Sequence, residues 1–267
     1  MMKQAKVLCI GGSDSSGGAG IQADLKAVSA CGCYGMNVIT AVTAQNSLGV
    51  EDIFPVSQNF IARQLDAVLS DIGANAVKTG MMLKASVVRT VADKIAQYGI
   101  EKLVVDPVMF AKGGCSLMED EARAVLMNRL MPLAFVITPN IPEAEYLARM
   151  NIKSIAAMKK AAVKIQKLGA KNVVIKGGHL PGGKRQGAID ILYDGIKYYE
   201  YSSAWIDSQD THGTGCTYAA VLAANLALEK NIIVAAQQAK IMVTAAIENA
   251  LSLGKGHGPV NVLGKIF

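Results

Sequence analysis

Residues 6–30 read KVLCIGGSDSSGGAGIQADLKAVSA, an apolar run followed by a glycine-rich loop and then a helical pattern. The run KVLCI at 6–10 predicts a buried strand, and the following IQADLKAVSACG predicts a helix. Residues 11–20 between them hold five glycines, which is typical of a turn that needs positive φ. A strand, a turn and a helix in this order indicate an α/β fold built on a parallel sheet.

The same order of strand and helix recurs along the chain. Residues 34–45 predict a second strand, and residues 59–72 predict a helix with apolar side chains three and four apart. Residues 188–201, AIDILYDGIKYYEY, alternate in polarity around an Asp-Gly turn and predict an antiparallel hairpin. Neither a linker nor an internal repeat divides the sequence, so we expect one α/β domain over residues 1–267, with right-handed crossovers between mostly parallel strands.

Composition and charge narrow the class of protein. Of the 267 residues, 51% are hydrophobic but 5% are aromatic, which is typical of helices packed on a parallel sheet. The net charge is +6, but the lysines are spread along helical faces, which argues against nucleic-acid binding and suits a small anionic substrate. The longest apolar runs are shorter than the roughly 20 residues that cross a bilayer. The five cysteines are scattered, so we expect a cytoplasmic protein without membrane contact or a disulfide framework.

Several predicted strands end in polar or flexible side chains, at the edge where α/β sheets bind ligands. Gln45 follows the second strand, and its amide offers a donor and an acceptor to the edge of a heterocycle. Met81 lies in the segment KTGMM, where a thioether can pack on a flat ring or belong to the core. Asp24, one turn into the first helix, could point back at a ligand or be a surface carboxylate.

A second group of strand ends favours phosphate and magnesium. Asp106 ends a buried run, where a carboxylate needs a partner or a cation. Asn140 and Glu143 follow the run AFVITPN and, with Asp106, could hold Mg²⁺ through water. Glu143 could instead serve only the dipole of the helix that begins there. Lys176 follows the apolar run NVVI and is well placed for a phosphate.

Residues 210–216, DTHGTGC, precede a long helical run of small residues. The backbone N–H groups of a Gly-Thr-Gly turn at a helix start form a cradle for an anion. The same helix end is expected to lower the pKa of Cys216, and a thiolate there could accept the proton of an alcohol that attacks a γ-phosphate. The alternative is a tight turn capped by Thr214, with Cys216 as a small core residue.

Taken together, these segments resemble the hydroxymethylpyrimidine/phosphomethylpyrimidine kinases of thiamine biosynthesis, a family of the ribokinase-like superfamily. The motifs are GGSDSSGGAGIQADLK, TAVTAQNSLGV, VKTGMM, VVDPVM-x-AKGG, ITPN-x-PEAE, VIKGGH and DTHGTGC, with GKGHGP near the end. The resemblance implies a three-layer α/β/α sandwich with a central, mostly parallel sheet, usually in a homodimer. It also implies that the γ-phosphate of ATP, with Mg²⁺, is transferred to the hydroxymethyl group of 4-amino-5-hydroxymethyl-2-methylpyrimidine and, in many members, to the resulting monophosphate.

The resemblance also implies a role for each matching residue. One group is implied to surround the pyrimidine ring: Gln45, Asp24, Gly12, Met81 and Val108. Another is implied to form the anion hole, with the cysteine as the base: Gly213, Thr214, Gly215 and Cys216. The implied ligands of ATP and its phosphates are Lys176, Asn140 and Thr211. The implied metal ligands are Asp106 and Glu143.

Two other functions stay open at this point. Most enzymes of the superfamily carry aspartate where Cys216 stands, so the cysteine narrows the branch to the pyrimidine kinases and the similar cysteine-type pyridoxal kinases. Gln45 suits an aminopyrimidine edge, although the ring of pyridoxal also bears a hydroxymethyl group. A vitamin-binding or regulatory protein that keeps the fold without turnover is the third hypothesis, and the presence of Cys216 and Lys176 argues against it.

Overall fold

Within the residues that the structure describes, nine strands form one sheet. The structure is a computed structural model that describes residues 4–110, 116–178, 180 and 187–264. The strands are β1 (Lys6–Asp14), β2 (Tyr34–Asn46), β3 (Gly49–Pro55), β4 (Ala76–Thr79), β5 (Leu103–Val105), β6 (Val136–Ile137), β7 (Asn172–Ile175), β8 (Ala188–Tyr193) and β9 (Tyr198–Ser203). They lie in the order β3-β2-β1-β4-β5-β6-β7-β8-β9.

The inner strands are parallel and both edges of the sheet are antiparallel. From β2 through β1, β4, β5 and β6 to β7, each neighbouring pair is parallel. At one edge β3 pairs with β2, and at the other β7, β8 and β9 pair in turn, all antiparallel. The predicted mostly parallel sheet is confirmed, and the predicted hairpin corresponds to β8 and β9. The antiparallel pair of β2 and β3 is an addition to the one hairpin that the sequence predicted.

Helices cover both faces of this sheet. They are α1 (Gly20–Ala30), α2 (Gln58–Asp71), α3 (Ala85–Gln97), α4 (Asp120–Val125), α5 (Ile141–Ala148), α6 (Ile155–Gln166), α7 (Thr214–Ala227) and α8 (Ile232–Glu248). After α4 the chain continues through a π-helical turn and a 3₁₀ turn, Leu126–Leu130 and Met131–Leu133. Polar side chains that accept a backbone N–H of the first turn begin α2, α5, α6 and α8: Ser57, Asn140, Ser154 and Asn231.

Alternation along the strands creates two separate cores, one on each face. Leu8 and Ile10 of β1 pack with the layer of α2 to α6, whereas Val7 and Cys9 pack with α1, α7 and α8. All four side chains are 0% exposed. A strand buried on both faces has no polar side to show, which explains why KVLCI is apolar without alternation. The predicted three-layer α/β/α arrangement is confirmed.

Parts of three sequence motifs lie outside the described residues: AKGG at 111–114, His179, and residues 181–186 of the loop LPGGKRQG. In the described part of the chain, no helix is both long enough and apolar enough to cross a bilayer.

Leu65→Ala should destabilise the fold strongly, because Leu65 of α2 is 0% exposed in the core under that helix. Removing a buried leucine side chain costs about 2–5 kcal/mol of unfolding free energy. Phe60→Ala is a matched control on the same helix, since Phe60 is 52% exposed and such positions change stability by about 0.5 kcal/mol or less. Urea unfolding of both variants measures the difference, and equal losses would contradict the assignment of the buried face of α2.

Candidate active site

The turn before α7 lies against the segment of residues 11–20, in which β1 continues to Asp14 beyond the predicted strand at 6–10 and residues 15–19 form the glycine loop before α1. Gly213 caps α7 with φ +82°, in the left-handed region that favours glycine. A Cβ at Gly213 would overlap the carbonyl oxygen of Gly18, and a Cβ at Gly20 would overlap that of Gly12. The glycines therefore allow close contact between backbones as well as turn formation.

The amino end of α7 brings backbone N–H groups to this contact. The first N–H groups of an α-helix have no partner inside the helix. The backbone N–H and the hydroxyl of Thr214 both donate to the carbonyl oxygen of Thr211, at 3.4 and 3.1 Å. Thr211 and Thr214 thus hold the turn together. The N–H groups of Gly215 and Cys216 follow at the positive end of the helix dipole, where an anion is favoured.

A buried ion pair lies beside this helix end. Lys176 Nζ is 2.9 Å from Asp106 Oδ1, and the two side chains are 14% and 4% exposed. Asp106 Oδ1 also accepts a hydrogen bond from the Thr138 hydroxyl at 3.2 Å. A Cβ at Gly215 would stand 3.4 Å from Lys176 Nζ and 3.7 Å from Asp106 Oδ2. Glycine at 215 therefore leaves space beside both the ammonium and the second carboxylate oxygen.

Lys176 keeps its positive charge despite its burial. Burial works to lower the pKa of Lys176, but Asp106 and Glu143 outweigh it and raise the pKa. Asp106, for which the sequence indicated no partner, is thus the main group that keeps Lys176 protonated. A permanent cation beside the amino end of a helix is suited to bind a phosphate.

Cys216 occupies the first turn of α7 and is half-buried. The backbone N–H of Gly20 forms a hydrogen bond with its sulfur, and the ammonium of Lys78 is the cation that favours its thiolate most. Burial nevertheless raises the pKa of Cys216 to about 11, because lost hydration outweighs both of these effects. The expectation that the helix end lowers this pKa is therefore wrong here, and Cys216 is a neutral thiol at pH 7.

Asn140 and Glu143 form a capping box at the start of α5. Asn140 Oδ1 accepts the Glu143 backbone N–H at 3.0 Å, and Glu143 Oε2 accepts the Asn140 backbone N–H at 2.9 Å. Glu143 Oε1 accepts the backbone N–H of Met109 at 3.2 Å. Glu143 therefore does stabilise the start of α5, as the alternative interpretation of the sequence expected. Both of its carboxylate oxygens already accept hydrogen bonds.

Asp106 and Glu143 fit a magnesium site in which phosphate oxygens and water supply the remaining ligands. Over the described ranges, no three Asp, Glu, His or Cys side chains lie close enough to form a metal site from protein alone. Lys176 and Thr138 both contact Asp106 Oδ1, which leaves Asp106 Oδ2 to face a ligand. Mg²⁺ in phosphoryl-transfer sites usually keeps several waters and takes one or two carboxylates. We therefore expect Asp106 to be a direct ligand and Glu143 to act through water.

Gln45 ends β2 next to the glycine loop and near the turn before α7. Its side-chain nitrogen lies 3.3 Å from His212 Nε2, and its side-chain oxygen accepts the Thr43 hydroxyl at 3.1 Å. His212 Nε2 also lies 2.8 Å from Asp14 Oδ2. An imidazole N–H that donates to this carboxylate cannot accept a hydrogen bond from the amide nitrogen. The N–H groups of Gln45 therefore remain for a ligand while Thr43 fixes the amide.

Asp24 is not a surface carboxylate, because it lies fully buried against Lys78. Lys78 Nζ is 2.9 Å from Asp24 Oδ1 and 2.8 Å from Oδ2, and the side chains are 1% and 0% exposed. Burial raises the pKa of Asp24 to about 6, with Lys78 opposing the rise. Burial works to lower the pKa of Lys78, but Asp24 outweighs it. Both groups are ionised at pH 7, and the predicted contact of Asp24 with substrate stays a prediction.

The other predicted ring contacts follow three neighbouring strands. A Cβ at Gly12 of β1 would lie 3.1 Å from the sulfur of Met81, which comes two residues after β4. Met82 next to it is 0% exposed and belongs to the core. Val108, after β5, has φ +29°, which a β-branched residue rarely adopts. Backbone strain of this kind clusters at binding and catalytic sites.

Sequence analysis missed three charged or titratable residues of this site, namely Lys78, Asp14 and His212. Lys78 had a usable signal, because it is the charge inside AVKT, a strand buried at every position. Asp14 and His212 had none, since each lies in a glycine-rich loop and they are 198 residues apart. Their pairing depends on the contact between the two loops.

The chain is similar to known kinases over nearly its whole length. The family model described as phosphomethylpyrimidine kinase matches residues 14–261. A hydroxymethylpyrimidine/phosphomethylpyrimidine kinase of Bacillus subtilis (strain 168) is 48% identical over 256 residues, which cover 96% of this chain and 94% of that protein. The thiamine biosynthesis bifunctional protein ThiED of Geobacter sulfurreducens is 50% identical over 258 residues, which cover 97% of this chain. The chain spans about half, 52%, of the length of that bifunctional relative.

A solved structure supports the same fold. The ADP complex of Bacillus subtilis pyridoxal kinase superimposes with a TM-score of 0.90 at 38% sequence identity, over 99% of both chains. At 99% coverage the likeness extends over nearly the whole chain.

Asp14→Asn should reduce stability more near pH 7 than near pH 3. Burial works to raise the pKa of Asp14, but hydrogen bonds from His212, Ser16 and Ala19 outweigh it and lower the pKa. The ionised carboxylate therefore stabilises the fold above the pKa of about 3.9 that an unfolded aspartate has. This contribution is lost as the pH falls through the lower folded-state pKa. Urea unfolding at both pH values measures it, and an equal effect at both would contradict the assigned hydrogen bonds.

Proposed function

The chain belongs to the phosphomethylpyrimidine kinase family and is a phosphotransferase with a ribokinase-like fold, and we propose that it phosphorylates 4-amino-5-hydroxymethyl-2-methylpyrimidine and then its monophosphate, with ATP, for thiamine biosynthesis. The observation that carries the proposal is the position of the Lys176 ammonium, 3.4 Å from where a Cβ at Gly215 would stand. A fixed cation and the amino end of α7 meet there. Charge that develops on a transferred phosphoryl group is stabilised at such a point.

The nucleotide side of the site is the group after β5, β6 and β7. Lys176 binds the phosphates of ATP, with Thr211 and Asn140 at the edges of the same space. Asp106 and Glu143 are the residues that would hold Mg²⁺ in this space. Magnesium neutralises charge on the β- and γ-phosphates when it is bound.

The substrate side lies between the glycine loop and Gln45. The amide N–H groups of Gln45 donate to a ring nitrogen of the pyrimidine, because His212 donates to Asp14 and does not accept them. The thioether of Met81 packs on the ring face. Gly12 and Val108 shape the pocket around it.

Transfer requires one proton to move. The hydroxymethyl oxygen forms a bond to the γ-phosphorus while the bond from that phosphorus to the β–γ bridging oxygen breaks, and ADP leaves. The hydroxyl proton passes to the sulfur of Cys216, which acts as the general base in its thiolate form. The pKa of about 11 in the free protein already includes the lowering effect of Lys78, so the thiolate is a minor species at pH 7 and each charge near the sulfur changes its fraction directly.

Pyridoxal phosphorylation is the second candidate, and the pyridoxal kinase with a TM-score of 0.90 favours it. The two activities share the anion hole, Lys176 and Cys216. They differ in the ring that the pocket accepts. Gln45 favours the aminopyrimidine because a ring nitrogen beside an amino group offers the amide a matching edge.

We also propose that the protein forms a homodimer. Leu48, just before the edge strand β3, and Phe54 within it are 71% and 73% exposed. A second copy that covers these apolar side chains would remove them from water.

The product of the reaction tests the proposed function. The protein is incubated with ATP and Mg²⁺ and, separately, with the hydroxymethylpyrimidine, its monophosphate and pyridoxal, and the products are identified by mass. We expect the diphosphate from both pyrimidines and little pyridoxal phosphate. Dominant pyridoxal phosphate would move the function to the second candidate. Absence of ADP formation with every acceptor, despite pyrimidine binding, would contradict catalysis altogether.

Cys216→Ala should lower kcat by about a hundredfold or more, the usual contribution of a general base, while the fold survives the loss of one sulfur. Cys31→Ala is the control, because Cys31 is also a half-buried free thiol but lies at the end of α1 away from the turn. Steady-state kinetics and circular dichroism of both variants decide the matter. A loss well under a hundredfold in a folded Cys216→Ala protein would remove the base role.

A further inference from the structure

Asp24 accepts two of the three N–H groups of the Lys78 ammonium and, within the described part of the chain, leaves the third without an acceptor. A lysine ammonium has three N–H donors. Two of them serve the two oxygens of Asp24, at 2.9 and 2.8 Å. Among the described residues no third acceptor is bonded to Lys78 Nζ, and the side chain is 1% exposed, so water does not take that place. A buried cation with a remaining donor is available to a neighbouring anion.

Cys216 lies on the same side of the sheet, because α7 packs against both α1 and β4. The backbone N–H of Gly20 bonds to the sulfur of Cys216, and Asp24 lies four residues after Gly20, on the same face of α1. Asp24 therefore places the Lys78 ammonium on the side of α1 that meets the first turn of α7. Cys9, the β1 partner of Lys78 in the parallel register, closes the space from the strand side.

We propose that Lys78 is a positioning residue for the transfer reaction: its ammonium, anchored by Asp24 beneath the first turn of α7, is the fixed counter-charge of the Cys216 thiolate. The proposal deepens the proposed function and rests on it for the role of Cys216 as the base. Lys78 is 1% exposed, so it acts on the reaction through the sulfur of Cys216 and not by contact with substrate or nucleotide.

Among the charged groups around Cys216, Lys78 is the one that favours the thiolate most. The groups that act on the sulfur come from five neighbouring segments: Lys78 of β4, Asp24 of α1, Cys9 of β1, Asp106 after β5 and Lys176 after β7. Lys78 has the largest lowering effect on the pKa of Cys216, and the two aspartates raise it. Lys176 is engaged with Asp106 at 2.9 Å and faces the phosphate space. Lys78 therefore acts on the base whether or not a nucleotide is bound.

Asp24 is needed because an isolated buried lysine would lose its proton. Burial alone lowers the pKa of a lysine, and the opposing carboxylate restores the charge. The ion pair of Lys78 and Asp24 has no net charge, but the third N–H group of the ammonium does not serve Asp24 and remains on the other side. In a weakly screened interior a charge in this position favours a nearby thiolate more than it would in water.

The direct test is the reactivity of the Cys216 thiol in the full-length protein without substrates. Iodoacetamide alkylates thiolates, so its rate at Cys216, followed by peptide mass spectrometry across neutral to alkaline pH, reports the thiolate fraction. The variant Lys78→Gln with Asp24→Asn removes both charges and keeps the side-chain sizes. We expect its alkylation rate to fall several-fold, because the lowering effect of Lys78 on the pKa of Cys216 is larger than the raising effect of Asp24, and its kcat/KM to recover as the pH is raised. An unchanged alkylation profile in the folded variant would overturn the proposal.

A second buried pair supplies the matched control. Lys240 Nζ lies 3.3 Å from Asp190 Oδ2, with side chains 10% and 5% exposed, and neither group is among those that act on Cys216. Lys240→Gln with Asp190→Asn should weaken the fold in a similar way but leave alkylation at Cys216 as it is in the wild type. An equal fall in both double variants would mean general loosening and would overturn the specific role of Lys78.

Gly80→Ala keeps the test valid if the double variant does not fold. A Cβ at Gly80 would stand 2.9 Å from Lys78 Nζ, while the next atom, the carbonyl oxygen of Ile10, is 3.8 Å away. The methyl group should displace the flexible ammonium without disturbing the backbone, and alkylation of Cys216 should slow several-fold. No change in Gly80→Ala would overturn the proposal. Because alkylation needs no turnover, a normal alkylation result with no kinase product would overturn only the proposed function.

Discussion

Charge that is buried away from water must be paired, and the site is organised around two lysines that satisfy this constraint with two aspartates. Lys78 of β4 pairs with Asp24 of α1, and Lys176 after β7 pairs with Asp106 after β5, beside Gly215 in the first turn of α7. Each pair keeps a cation ionised where burial would otherwise neutralise it. The turn, the phosphate space and the thiol are all arranged around these two fixed charges.

The two ion pairs differ in what their lysines face. Lys176 opens toward Gly215 and is the proposed phosphate ligand, whereas Lys78 is closed off from solvent and contacts Asp24. Groups that are held in place before the reaction do not have to reorganise during it, which is the main advantage of an enzyme site over water. Burial also explains why Cys216 is neutral at pH 7. Exclusion of water, which would protect a transferred phosphoryl group, disfavours a free thiolate as well.

Close backbone contact is the second requirement of the site. Gly213 meets the carbonyl oxygen of Gly18, and Gly20 meets that of Gly12, so no side chain separates the loops. This contact brings His212 to Asp14 and to the amide of Gln45. The glycine loop and the turn before α7 are therefore in direct backbone contact.

The sequence by itself determined the layers and most of the chemical groups. Continuous apolar runs such as KVLCI predict strands buried on both faces, and the rule that ligands bind at strand ends points to Gln45, Asp106 and Lys176. It could not determine which charges meet, because Lys78 and Asp24 are 54 residues apart and paired only by the packing of α1 on β4. The sign of the pKa shift of Cys216 was decided by the tertiary structure for the same reason, since local helix geometry lowers the pKa, whereas desolvation comes from every element packed around the sulfur.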